Sequence, residues 1–116
     1  MTLTPEHEAF LDALRDLERA LSETLETVGV MQARTRELLD SAATGHPLRH
    51  SVPMEQRPLL VQLLTQATEL LQTYGNRVRT TEAKALYSEG MTMDQIARLF
   101  GVSRQRVSTL LRDRPD

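Results

Sequence analysis

The chain has no cysteine and no tryptophan, and only two tyrosines and two phenylalanines in 116 residues. Without cysteine there are no disulfides, no thiolate ligands and no thiol nucleophile, and a cytoplasmic setting is expected. So few aromatics leave no stacking platform for single-stranded nucleic acid. No apolar run approaches the ~20 residues that span a bilayer. The opening Met1-Thr-Leu-Thr-Pro-Glu-His-Glu8 lacks the basic start and apolar stretch of a secretory signal, so none is expected. There is no glycine-rich phosphate loop and no convincing Ser/His/Asp set, and paired carboxylates fall only on faces expected to be solvated. His46 and His50 lie four apart, but in a proline-bearing stretch without a third ligand. The expectation is a protein that is not an enzyme and that uses no cofactor and no metal.

What is present is an uneven distribution of charge. The net charge is −2, which by itself argues against a polyanionic partner. Yet residues 1–43 hold nine acids against four arginines, and residues 44–116 hold seven acids against ten bases. The first part is repelled by phosphate and the second attracted to it, which orients the chain on a polyanion.

The second part contains the most informative stretch, Met93-Asp-Gln-Ile-Ala-Arg-Leu-Phe-Gly-Val-Ser-Arg-Gln-Arg-Val-Ser-Thr-Leu-Leu-Arg112. Thr92 and Gln95 have the spacing of a capping box, and Asp94 suits the positive end of a helix dipole. Ile96, Ala97, Leu99 and Phe100 then form an apolar side of about two turns. Gly101 stands where a residue of positive φ would end the helix. Val102 bridges the turn, Ser103 caps a second helix, and Val107, Leu110 and Leu111 are its buried side. A small residue at 97, four before the glycine, lets two steeply crossed helices approach. An earlier helix is expected from Thr80 or Thr81 to Glu89, ended by Gly90, with Ala83, Leu86 and Tyr87 on its inner face. Tyr87 reads as a core aromatic with its hydroxyl at the surface.

This pattern, from about Thr80 to Arg112, resembles the helix-turn-helix family of bacterial transcription regulators. It is most similar to sigma factor region 4 and to the helix-turn-helix of resolvase-type recombinases. The resemblance implies base-reading positions at Arg104, Gln105, Ser108 and Thr109, with Ser103, Arg106 and Arg112 near phosphate. The chain departs from both relatives elsewhere. No stretch corresponds to a polymerase-binding region or to a recombinase catalytic domain, and no winged hairpin is expected. The residue chemistry agrees independently: Arg pairs with guanine, Gln with adenine, Ser and Thr can bond a base edge, and a Thr methyl can touch a thymine methyl. From Ser103 to Arg112 there are three arginines and no acid, whereas an ordinary solvated helix mixes both signs. Arg77, Arg79 and Lys84, upstream, are either further phosphate contacts or plain surface charges.

The first 43 residues carry a different pattern. Thr4 caps and Pro5 takes the first helical position. His7, Phe10, Leu14, Leu17, Leu21, Thr24, Val28, Met31, Thr35 and Leu38 then alternate spacings of three and four, a seam of about four and a half heptads. Leu11, Leu25 and Leu39 widen it, and Gly29 interrupts it. A helix of ~35 residues is ~50 Å long. Its stripe suits either pairing with a second copy, through Phe10, Leu14, Leu17, Leu21, Val28, Met31 and Leu38, or an internal hairpin with the middle of the chain. Gly45-His-Pro-Leu-Arg-His-Ser-Val-Pro53 reads as a linker. Pro58 opens a helix through Leu59, Leu60, Leu63, Leu64, Ala67, Leu70, Leu71 and Tyr74, with Gly75 as its stop.

The sequence therefore predicts an all-α chain. It has a long coiled-coil-like dimerisation helix over 1–43, a linker over 44–57, a central packing helix over 58–75 and a three-helix helix-turn-helix unit over 76–116. The expected function is site-specific binding of double-stranded DNA as a homodimer, as in a bacterial, nucleoid-associated transcription regulator. The same residues admit two alternatives. One is a protein-interaction adaptor whose acidic N-terminal helix grips a polymerase, phage or plasmid factor. The other is nonspecific architectural DNA binding.

Overall fold

The computed structural model describes residues 2–113. It is all-α, and no strand occurs among the described residues. Helix α1 spans Pro5–Ala43 and is followed by a single turn, α2, over Leu48–Ser51 and a 3-10 turn over Val52–Met54. Three helices follow: α3 Leu60–Ser88, α4 Met93–Phe100 and α5 Arg104–Arg112. The stretch read as a plain linker thus holds two short helical turns. None of the described helices is long and apolar enough to cross a membrane. The chain divides into two compact units, one formed by residues 1–19 and 72–116, the other by 20–71.

Helix α1 starts as its sequence dictates. The Thr4 hydroxyl accepts from the His7 N–H at 3.1 Å, and the Thr4 carbonyl accepts from Glu8 at 3.0 Å. The helix passes through Gly29 without a break. Its seam has a different phase from the one expected. Leu17, Thr24, Met31 and Leu38 are buried or half-buried, but the alternate inward positions fall one residue earlier, at Ala13, Ala20, Thr27 and Arg34. Ala13 and Ala20 are almost fully buried. Small side chains there admit a close neighbour, which Leu14 and Leu21 would hold away. Leu14, Leu21, Leu25, Val28 and Leu39 are left exposed, Leu25 most of all at 75%.

Several threonines sit inside these helices without interrupting them. Thr24 donates its hydroxyl to the Ala20 carbonyl at 2.7 Å, Thr35 to Met31 at 2.7 Å and Thr68 to Leu64 at 2.8 Å. Each bond satisfies the hydroxyl within the same helix, so the residue presents a methyl outward.

In the unit formed by residues 20–71, Arg34 ties α1 to the segment before α3. Its Nη1 donates to the Gln56 carbonyl at 3.0 Å and to the Pro58 carbonyl at 2.8 Å. The free N–H groups at the start of α3 are also met. Leu59 donates to Gln62 Oε1 at 2.7 Å and Leu60 to Glu55 Oε1 at 3.1 Å.

The sequence predicts two helices between residues 58 and 89, and the structure has one. Gly75 does not stop α3, and Thr80 and Thr81 do not cap a new helix. A mid-helix glycine costs only about 1 kcal/mol relative to alanine, and no proline follows to block the ladder. The two threonines are 4% and 2% exposed. Thr81 donates its hydroxyl to the Arg77 carbonyl at 2.8 Å, which lets it be buried in mid-helix. Helix α3 ends where expected, at Gly90, which has φ 103°. Met91 N–H reaches back to the Leu86 carbonyl and Gly90 N–H to Tyr87, both at 3.1 Å, the double bond of a Schellman stop.

Gly29 gives a direct test of this helix. A Cβ built there meets nothing within 4 Å. Gly29→Ala is therefore expected to stabilise the chain by about 0.5–1 kcal/mol, read as a rise in the thermal unfolding midpoint followed by circular dichroism. An unchanged or lowered midpoint would mean that α1 is not helical at residue 29.

Candidate nucleic-acid interface

The unit that contains α4 and α5 is built on a small core. Ala83 from α3, Ile96 and Ala97 from α4, and Val107 and Leu110 from α5 are buried together. Leu86, Met91, Met93, Phe100 and Leu111 pack around them. Met93, Ile96, Ala97 and Phe100 follow helical spacing and define the inner stripe of α4. Leu99 falls at its outer edge and is 62% exposed, contrary to the expectation that it is buried. Tyr87 is likewise no core residue, at 50% exposure, while Ala83 and Leu86, expected beside it on the inner face, do face the core.

The caps form as the sequence spells them. Gln95 N–H donates to the Thr92 hydroxyl at 3.1 Å, and Thr92 N–H donates to Gln95 Oε1 at 2.9 Å, closing the capping box. Gly101 takes the left-handed conformation at φ 69°. Its N–H and that of Val102 both turn back to the Ala97 carbonyl. Ser103 then starts α5 by accepting from Arg106 N–H at 3.0 Å. From the first residue of α4 to the last of α5, every turn is fixed by partners no more than five residues away.

Helix α5 buries Val107 and Leu110 and turns its other side outward. Arg104, Gln105, Ser108, Thr109 and Arg112 recur at helical spacing on that outer side. Arg104, Gln105 and Arg112 are exposed, while Ser108 and Thr109 are partly buried. Thr109 donates its hydroxyl to the Gln105 carbonyl at 3.2 Å. Arg106 lies off this face and lines a cleft of about 290 Å³ with Arg79, Glu82, Phe100, Val102 and Leu110.

The upstream cations have structural partners. Arg77 donates to the Asp16 carboxylate in a half-buried ion pair that binds the start of α1 to α3. Lys84 Nζ donates to the Asp113 carbonyl just beyond α5, a cation where the negative end of that helix dipole lies. Arg79 Nη1 donates to Asn76 Oδ1 at 3.0 Å on its own helix. The sequence carries no local sign of the first two, because Asp16 and Asp113 lie 61 and 29 residues from their partners. The capping pattern of α4 likewise carries no sign of one further contact. The Asp94 carboxylate lies 3.8 Å from Arg104 Nε, so the acid of the capping turn also faces the first residue of α5.

Two short helices joined by a left-handed glycine, supported by a third and presenting a polar, basic second helix, form a helix-turn-helix unit. Residues 74–112 match the family model of the helix-turn-helix domain of resolvase, about a third of the chain. No curated protein and no solved structure gives a significant match. The C-terminal part of the chain is thus a helix-turn-helix unit similar to that of resolvase, and it supports DNA binding.

The turn depends on Gly101. A side chain at positive φ costs roughly 1–2 kcal/mol. Gly101→Ala is expected to lower the stability of the unit by that amount, measured by denaturant unfolding, although a Cβ there meets no neighbour. A neutral result would show that the turn relaxes out of the left-handed region.

Proposed function

We propose that this protein binds a specific double-stranded DNA site as a homodimer and regulates transcription in a bacterial cytoplasm, where it would associate with the nucleoid. The observation that carries the reading is the outer face of α5, where Arg104, Gln105, Ser108 and Thr109 share one side of a capped helix in a helix-turn-helix. These side chains have the hydrogen-bonding capacity to read base edges in a major groove. Ser103 and Arg112 flank them at the two ends of α5 and would meet phosphate, as would Arg106 from the side. Arg79 and Lys84 would contribute less, and Arg77 least, since Asp16 holds it. Phosphate contacts would supply most of the affinity and the four inner residues the choice of sequence.

The dimer is supported by α1. Its inward seam uses small residues, and a second set at heptad-like spacing, Leu14, Leu21, Leu25, Val28 and Leu39, is exposed in the single chain. A row of leucines open to water along one helix fits a second copy of the same helix. Of the residues expected to pair the subunits, Leu14, Leu21 and Val28 belong to this exposed row. Phe10, Leu17, Met31 and Leu38 are half-buried by the chain itself and would border it. In this division residues 1–43 would assemble the dimer, 44–57 connect, 58–75 pack and 76–116 read DNA, with α3 running unbroken from the third part into the fourth.

Selection from random duplex DNA at about 150 mM salt tests the reading. An enriched inverted repeat with half-sites about 34 Å apart is the expected outcome for two helix-turn-helix units in successive major grooves. Binding with no enriched sequence would indicate an architectural protein. Indifference to DNA, with a stable complex on the acidic helix, would indicate the adaptor instead. For the dimer, Leu25→Asp is expected to leave the helical content unchanged and to convert the protein to a monomer in sedimentation. A Leu25→Asp protein that sediments like the parent would place the subunit contact elsewhere.

A further inference from the structure

Between Gly90 and Arg112 the chain has four arginines and one acid, Asp94. An acid on a surface that approaches phosphate weakens binding to any DNA, whatever its sequence. In the first turn of α4 Asp94 suits the helix dipole, beside the Thr92–Gln95 capping box. The carboxylate has a second neighbour. Its Oδ1 lies 3.8 Å from Nε of Arg104, the first residue of α5, and both side chains are open to solvent. The two also line one concavity with Tyr87, Met91 and Met93.

We propose that Asp94 is a positioning residue that sets Arg104 to read a guanine in the bound DNA. This rests on the site-specific reading given above. A guanine edge offers two acceptors, O6 and N7, and accepts two parallel N–H bonds from one guanidinium. Arginine has two ways to supply them: through its two terminal nitrogens, or side-on through Nε and one terminal nitrogen. A carboxylate at Nε occupies the side-on edge and leaves Nη1 and Nη2 free as a pair. It also offsets part of the positive charge, so the same side chain is drawn less strongly to a phosphate, which gives no sequence information. The two atoms stand 3.8 Å apart, and shortening that separation to hydrogen-bond length in the groove would complete this arrangement. Asp94 thus gives up affinity in general and improves discrimination at one base pair.

The test compares selected sites for the parent protein, Asp94→Asn, Arg104→Ala and the double variant, each also titrated against an unrelated duplex. The parent is expected to prefer guanine at one position of each half-site, and Arg104→Ala to erase that preference. Asp94→Asn is expected to weaken it about tenfold, within the range one bidentate contact contributes, while binding the unrelated duplex more tightly. In the Arg104→Ala background, Asp94→Asn should change nothing at that position. Asp94→Ser, which keeps a short oxygen in the capping turn, guards against a folding effect and should behave like Asp94→Asn. If Asp94→Asn tightens binding to all sequences alike and leaves every base preference intact, Asp94 is only a charge and the proposal fails. If sites are enriched but Arg104→Ala alters none of their positions, it fails because Arg104 is no reader. If the parent enriches no sequence at all, the site-specific reading itself is lost, and this inference with it.

Discussion

The helix-turn-helix depends on one carbonyl. Ala97 accepts from both Gly101 and Val102 N–H, while its side chain lies in the core between α4 and α5. The first role reverses the chain direction within three residues, and the second lets the helices meet closely enough for Ile96 and Val107 to be fully buried. A larger residue at 97 would push the two helices apart. A residue other than glycine at 101 would strain the left-handed turn. The small core therefore follows from two neighbouring constraints, one on size and one on backbone conformation, and the outward face of α5 is set by them.

This explains why the helix-turn-helix was legible in the sequence. Thr92 with Gln95, Ser103 with Arg106, and Ala97 with Gly101 and Val102 are all short-range pairs, so residue type and spacing nearly determine the geometry. The all-α class was legible for a similar reason, since apolar residues recur at helical spacing through most of the chain. The misses have the opposite character. Whether Gly75 ends a helix depends on the balance between a modest propensity cost and the packing of Thr80 and Thr81, which no local pattern records. Leu99 and Tyr87 are apolar or aromatic in type yet exposed: the eight-residue α4 has one inner stripe, which passes Leu99 by, and on α3 Leu86 rather than Tyr87 packs on the core. The partners of Arg77 and Lys84 leave no mark in the local pattern, because Asp16 and Asp113 are remote in sequence.

The phase of α1 is the most instructive of these. Leucine marks a hydrophobic seam to the eye, and the heptad through Leu14, Leu21 and Val28 is a good one. The chain instead turns the positions before these inward, toward alanine and threonine, while keeping Leu17, Thr24, Met31 and Leu38 in common. A long helix with a broad stripe has more than one way to face its neighbours. Sequence periodicity alone establishes that a stripe exists, and the sizes of its residues decide which edge lies against the fold.

The threonines add a consequence of their own. At 24, 35, 68 and 81 the hydroxyl is spent on a carbonyl of the same helix, so the helix surface there is methyl and carries no direction. Methyl surfaces fit one another in many registers and encode almost no alignment. The contacts with direction are charged: Arg77 on Asp16 in one unit, and Arg34 on the Gln56 and Pro58 carbonyls in the other. These arginines act as detents on otherwise smooth rails. Each selects one alignment among several that the apolar surfaces alone would accept almost equally well.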